Sequence, residues 1–436
     1  MSYDGVRRRV LATLLANWQG ASTVPAPGQY PHQWSWDSAF AAIGWAQVST
    51  RRAWAELSSL FGGQWADGRV PIIVFSRTVP EDAYFPGPAF WRPLPPNGPV
   101  RGVMTNGLVQ PAVHALAAEA VAQRADPAEA SSALRRLYPR LAAWHDYLFD
   151  RRSVQHGLVA VVHPWETGLD NSPAWDAALA AVPAETDGVA QVRRDLAHSA
   201  AADRPTDQDY ARYIFIAAAY RDRGYRDDDL QALPFCVVDP LFAALLARAE
   251  HSLARIAQLI GAPSEQHRER AAALTAAIVE HLWDEELGIF VALDLRTGQT
   301  ARLGTVGGLV PLLLEGLPAR VRRRLVATLT GPAFALGRED VHGVPSYDLT
   351  APDFDRHRYW RGPTWINTSW LVWRGLARAG ERSLQDHLAR SMVDLVDRAG
   401  FREYFDPISG KGRGTHDFTW SAALVLDVLA RLASHA

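Results

Sequence analysis

Nearly every periodic stretch of this 436-residue chain has the period of a helix. Apolar residues recur three and four apart over about 4–18, 36–66, 107–123, 129–150, 173–183, 207–223, 239–262, 265–284, 305–314, 318–330, 364–379, 382–398 and 418–434. The 36–66 stretch breaks near Ser49 and Thr50, which gives about a dozen helices. Strand-like runs are short: 70–75, 158–162 and 288–293. Short and long connections alternate, the pattern of consecutive αα-hairpins. No linker, composition shift or fixed-period repeat divides the chain. An undivided helical chain of this length needs a closed architecture. The expected fold is therefore all-α: a toroid of six hairpins, an (α/α)6 barrel, with its long loops gathered on one face. Residues 1–436 are expected to form one domain with loop insertions around 68–106, 184–206 and 340–363; two α-solenoid lobes are the competing arrangement.

Composition removes several classes of partner. The formal net charge is −2, with no basic or acidic block, so neither nucleic acid nor an anionic membrane surface is indicated. Cys236 is the sole cysteine, which rules out an intramolecular disulfide and points to an intracellular, cytoplasmic setting. No apolar run approaches the roughly 20 residues of a membrane span. The opening VRRRVLATLLANW imitates a signal peptide, but Val6, Val10, Leu14 and Trp18 keep helical spacing, and it reads as the first amphipathic helix. Oligomeric state, a homo-oligomer included, stays open.

The connections carry the chemistry. Residues 163–176 read HPWETGLDNSPAWD, where Gly168 and Pro173 interrupt any helix and acids alternate with tryptophans. A structural reading makes Asp170, Asn171 or Ser172 the cap of a helix opening at Pro173; a functional reading turns Asp170 into a cleft, and both can hold. Residues 29–40 (QYPHQWSWDSAF), 82–91 (DAYFPGPAFW), 203–213 (DRPTDQDYARY), 342–365 and 402–420 repeat the mixture of acids and aromatic rings. Collected at one end of a toroid, they make a cleft walled by aromatics and floored by carboxylates, the composition of a carbohydrate site. The 16 tryptophans supply both core and stacking platforms.

Two carboxyls suffice to hydrolyse a glycosidic bond, one protonated and one ionised. Burial among apolar rings keeps a carboxyl protonated, which suits Asp170 between Trp165 and Trp175. Glu403, amid Phe401, Tyr404 and Phe405, suits the ionised role. By chemistry alone Glu166, Asp176, Asp37 and Asp406 compete with them. GKGRG at 410–414 lacks phosphate-loop spacing and reads as a flap, with Lys411 or Arg413 near an anionic ligand. The histidines have no spacing typical of a metal site, and no cofactor is indicated. Ser76 and Ser172 lack a nucleophile elbow.

Taken together, QWSWDSAF, YFPGPAFW, WETGLDNSPAWD, RYWRGPTWINTSWLVW and FREYFDPISG…DFTWSAAL resemble glycoside hydrolase family 63, and within it the compact bacterial mannosylglycerate and glucosylglycerate hydrolases. The resemblance covers about 30–424. It implies an (α/α)6 barrel and an inverting α-glycosidase acting on a small anionic glycoside, with the general acid on Asp170 and the general base on Glu403. It places the sugar-binding residues on Tyr30, Trp34, Asp37, Gln110, Trp165 and Gly168. The side receiving glycerate falls on Arg204, Tyr210, Tyr359, Trp360 and Trp365, together with His416, where these hydrolases tend to carry glutamine. Ile72 likewise stands where a histidine is usual. A trehalase-like or oligosaccharide α-glucosidase, or a non-catalytic sugar-binding toroid, are the competing functions.

Overall fold

The computed structural model describes residues 3–197 and 200–434 and contains fifteen α-helices among them. In chain order these are α1 (Asp4–Asn17), α2 (Ser35–Trp45), α3 (Thr50–Phe61), α4 (His114–Ala122), α5 (Pro127–Arg151), α6 (Pro164–Thr167), α7 (Asp176–Ala180), α8 (Val189–Val192), α9 (Asp207–Asp222), α10 (Pro240–Ile260), α11 (Glu265–Leu282), α12 (Ala319–Thr330), α13 (Ile366–Ala379), α14 (Arg382–Ala399) and α15 (Thr419–Ser434). Strands are pieces of two or three residues, such as Gln33–Trp34 paired antiparallel with Ile73–Val74, and Tyr404–Phe405 with Gly412–Arg413.

Local chemistry explains the boundaries. The break expected near Ser49 is there, and the Ser49 hydroxyl caps α3 by accepting from the Arg52 N–H. Asp126 and Asp239 cap α5 and α10, each followed by proline at the first helical position. The helix expected over 305–314 is absent. Two 3-10 turns, Val306–Gly308 and Val310–Leu313, replace it. Gly308 lies against the backbone of Phe290, where a Cβ would sit 2.1 Å from the carbonyl oxygen, and Pro311 has no N–H to donate. The 107–123 helix starts only at His114, beyond Pro111.

The helices sort by how they are buried. Every residue of α2 is buried, and α10 is buried over most of its surface, so both are core elements. By contrast α3 and α14 bury one stripe. Helix α15 packs on α2, α2 on α4, α4 on α10, α10 on the Val310–Leu313 turn, that turn on α13, and α13 on α15. Behind them, α1 packs on α15, α3 on α2, α5 on α4 and α10, α11 on α10, and α14 on α13 and α15. The segments entering the N-terminal ends of α2, α4, α9, α13 and α15 all reach the same cavity. Among the described residues no helix is long and apolar enough to cross a membrane.

Candidate active site

Residues 163–176 are held from several sides. The buried His163 caps α6: its Nδ1 accepts from the Trp165 N–H at 2.9 Å, so Nε2 carries the proton and donates to the Tyr213 carbonyl at 2.9 Å. Burial pushes this imidazole down to about 3, so the ring is neutral. The turn then reverses at Gly168, whose φ is +74° and whose missing Cβ would lie 2.4 Å from the Trp36 ring. Beyond it, the Leu169 carbonyl accepts from the Trp175 indole at 2.8 Å and the Asp170 carbonyl accepts from the Tyr213 hydroxyl at 2.8 Å. Ser172 also caps the next turn by accepting from the Ala174 N–H. The capping and cleft readings of this loop therefore coexist.

Twelve of the fourteen residues expected at the site line one cavity of about 1000 Å³, its mouth included. Trp34, Trp165, Tyr210 and Trp360 give it aromatic walls; Asp37, Asp170 and Glu403 give it carboxyls. Trp365 stands behind this surface, fully buried and stacked on Trp360 with ring centroids 3.8 Å apart, and its indole donates to the Tyr359 carbonyl at 3.0 Å. It supports the wall rather than forming it. His416 is exposed, pairs with its neighbour Asp417 at 2.7 Å, and does not line the cavity. In the 410–414 stretch, Arg413 is tied to Asp203 at 2.7 Å, while Lys411 is exposed.

The two carboxyls assigned by resemblance have different surroundings. Glu403 is buried and accepts from the Tyr30 hydroxyl at 2.8 Å, from Arg204 at 3.2 and 3.4 Å, and from the Thr415 N–H at 3.2 Å. Every partner is a donor, the set that an acceptor-only carboxylate needs. Asp170 is half-buried, and desolvation raises it to about 6, with the charge of Glu403 adding to the rise against Arg204. Asp37, at the start of α2, is also pushed well above the usual carboxylate range, first by burial and then by Glu403 and Glu56. The site thus holds one carboxylate surrounded by donors and two carboxyls biased toward the protonated form.

The competing acids are placed differently. Glu166 is fully buried and forms a two-pronged pair with Arg152 at 2.8 and 2.9 Å, while accepting from the Val109 and Val162 N–H groups. It fastens the loop and does not line this cavity. Asp176 pairs with Arg361, and Asp406 with Arg356 and the turn at Ser409. Only Asp37 of the four lines the cavity. Sequence reasoning missed Arg194 and Asp195, which reach the cavity from the 184–206 connection without any local pattern. Tyr84 also lines it, and it sits in the aromatic stretch 82–91 that had been singled out as a whole. Asp195 accepts from Arg204 Nε at 3.1 Å and from Arg193 at 2.6 Å. Arg204 therefore bridges Asp195 and Glu403, with its plane over the Tyr359 ring at 4.1 Å.

A family model described as the mannosylglycerate hydrolase MGH1-like glycoside hydrolase domain matches residues 30–421. The chain belongs to this family. Glycoside hydrolases similar to it include the mannosylglycerate hydrolase of Rubrobacter radiotolerans, 39% identical with 95% of this chain and 94% of that one aligned. The glucosylglycerate hydrolase of Mycolicibacterium hassiacum is 34% identical, with 97% of each chain aligned. Among solved structures, the family 63 mannosylglycerate hydrolase of Thermus thermophilus in complex with Tris and D-glycerate superimposes with a TM-score of 0.87 at 39% identity, covering 97% of this chain and 99% of that one. Neutral trehalase of Saccharomyces cerevisiae shares the fold at 16% identity, with a TM-score of 0.59.

Proposed function

We propose that this enzyme is an inverting α-glycosidase that hydrolyses mannosylglycerate or glucosylglycerate. The observation that carries the mechanism is the contrast in one cavity between Asp170, raised to about 6, and Glu403, ringed by donors. Protonated Asp170 donates to the glycosidic oxygen as the bond to the anomeric carbon breaks. Glu403 removes a proton from water attacking the opposite face, so the sugar leaves with inverted configuration and glycerate leaves as the alcohol. Inverting enzymes keep the two carboxyls roughly 6.5–9.5 Å apart to admit that water. Trp34 and Trp165 offer faces for the sugar ring, and Asp37 and Gln110 offer polar atoms for its hydroxyls. Tyr359, Trp360 and Tyr210 form the wall of the aglycone side, with Trp365 behind it. The substrate class is supported by the family and by near-full-length similarity to hydrolases of both compounds.

The same reading takes the chain as one catalytic domain closed into an (α/α)6 barrel. Five helices and the Val310–Leu313 turn touch in cyclic order from α2 to α15 and back to α2, and α1, α3, α5, α11 and α14 pack against them as outer partners. The test of the function is proton NMR of the enzyme with each α-linked substrate. Appearance of the β-anomer first supports hydrolysis with inversion. Initial release of the α-anomer, or full activity of Asp170→Asn or Glu403→Gln, overturns it.

A further inference from the structure

We propose that Gln29 is a positioning residue for the base, holding the Tyr30 hydroxyl as a donor to Glu403; the proposal rests on the reading of Glu403 given above. Gln29 is buried and lines the cavity beside Tyr30. A phenol has one proton to give and two lone pairs to fill. At Tyr30 all three are used. The proton goes to Glu403 Oε1 at 2.8 Å, while the oxygen accepts from Gln29 Nε2 at 2.9 Å and from Arg204 Nη2 at 3.2 Å. The orientation of the Gln29 amide follows from this set. An ionised carboxylate can only accept, and it takes the phenol proton in preference to a neutral amide oxygen. Gln29 therefore presents its NH2 group to Tyr30 and turns its carbonyl away. That carbonyl oxygen, Oε1, is buried and has no partner among the described protein groups. Leucine would fill the same space without the cost of an unpaired buried acceptor. The contact the amide does make is with the hydroxyl that faces Glu403.

Backbone and rings hold the rest of the arrangement. The N–H groups of Gln29 and Tyr30 both donate to the Ala26 carbonyl, at 3.2 and 2.8 Å, which closes a tight turn. The Pro25 carbonyl accepts from the Thr419 N–H at 2.9 Å, tying that turn to the start of α15. The Tyr30 ring sits edge-on to Trp34 and Phe418, with centroids 5.4 and 5.8 Å away. With the ring fixed, the remaining freedom is rotation of the O–H bond, and Gln29 and Arg204 close its alternatives by occupying both lone pairs. Arg204 is in turn paired with Asp195, which Arg193 holds at 2.6 Å. The other titratable groups that act on Glu403 are Asp37, Asp170, Tyr359 and Tyr404, and none of them is hydrogen-bonded to Gln29. The influence of Gln29 on the base therefore runs through Tyr30.

The experiment is steady-state kinetics of the full chain with mannosylglycerate and glucosylglycerate across pH, for wild type, Gln29→Leu, Tyr30→Phe and the double variant, with a thermal melt of each. Gln29→Leu is expected to lower kcat roughly three- to tenfold with KM little changed, the worth of one hydrogen bond. It should also move the acidic limb of kcat/KM upward by about half to one pH unit, because a carboxylate whose donor is free to turn away ionises less readily. In the Tyr30→Phe background no hydroxyl remains to be aimed, so Gln29→Leu should change neither quantity further. Losses that combine independently in the double variant, or a Gln29→Leu enzyme with the wild-type kcat and pH profile, overturn the assignment of Gln29. Wild-type enzyme that hydrolyses neither glycerate, or Glu403→Gln that keeps full activity, overturns the reading of the base instead, and this inference with it.

Discussion

Replacing Asp170 by asparagine should abolish turnover and make the protein more stable. Burial lifts this carboxyl from the usual aspartate value near 3.8 to about 6. At 1.36 kcal/mol per pH unit, that rise means the folded state bears a cost of roughly 3 kcal/mol whenever Asp170 is ionised. The sign follows from which state ionises first. The unfolded chain loses this proton near pH 3.8 and the folded protein near pH 6, so the cost grows between those values and is complete above about 6. Asparagine has no charge to desolvate and keeps an acceptor and a similar shape. Its gain should therefore approach about 3 kcal/mol at pH 8, fall to about half that at pH 5, and drop below about 1 kcal/mol at pH 4. With an unfolding entropy of about 2.1 cal/mol/K per residue, the 436-residue chain loses or gains about 1 °C in Tm per kcal/mol, so the shift at pH 8 is about 3 °C. Thermal and urea unfolding of wild type and Asp170→Asn at pH 4, 5 and 8, with substrate turnover in parallel, read all of this. A variant less stable than wild type at pH 8, or a gain that does not change with pH, would refute the desolvation argument.

Three further outcomes follow from the same contacts. If Asp170 must be protonated to react, kcat/KM should decline about tenfold per pH unit above pH 6, seen in initial rates across pH 5 to 8 at fixed ionic strength. Glu166→Gln should cost about 1.5–3 kcal/mol in denaturant unfolding, because it removes one of the two carboxylates, Glu166 and Asp227, that pair with the buried Arg152 guanidinium. Gly168→Ala should lower both stability and kcat, since the new methyl meets Trp36 at a positive φ; an alanine variant with wild-type rates would mean that the turn is freer than its packing implies.

How far the sequence could be read depends on where each constraint comes from. Helices are local, and most were legible from periodicity, down to the Ser49 cap that separates α2 from α3. The 305–314 stretch misled because its apolar spacing is helical while its true constraint, Gly308 against Phe290, comes from elsewhere in the chain. The acids show the same division. Nothing near Glu166, Asp176 or Asp406 in sequence announces Arg152, Arg361 or Arg356, so local chemistry could not separate structural carboxylates from those facing the cavity. Motif resemblance could, and it placed twelve residues on the cavity wall. It was less informative for Trp365 and His416, which lie behind or away from that wall, and silent on Arg194 and Asp195, whose loop carries no motif.

The donors around Glu403 come from Tyr30, Arg204 and Thr415, and Asn17 binds the Asp417 carbonyl and the Thr419 hydroxyl as α15 settles onto α1 and α2. The carboxylate proposed as the base thus draws its donors from the first, middle and last parts of the polypeptide. During synthesis the flank of α2 that packs on α15 stays uncovered until that helix emerges, and until then the segment carrying Glu403 is not fastened at its C-terminal end. Activity in this enzyme is therefore a reporter of the docking of α15 on α1 and α2. A chain shortened at its C-terminus before α15 would keep most of its helical signal in circular dichroism and hydrolyse nothing.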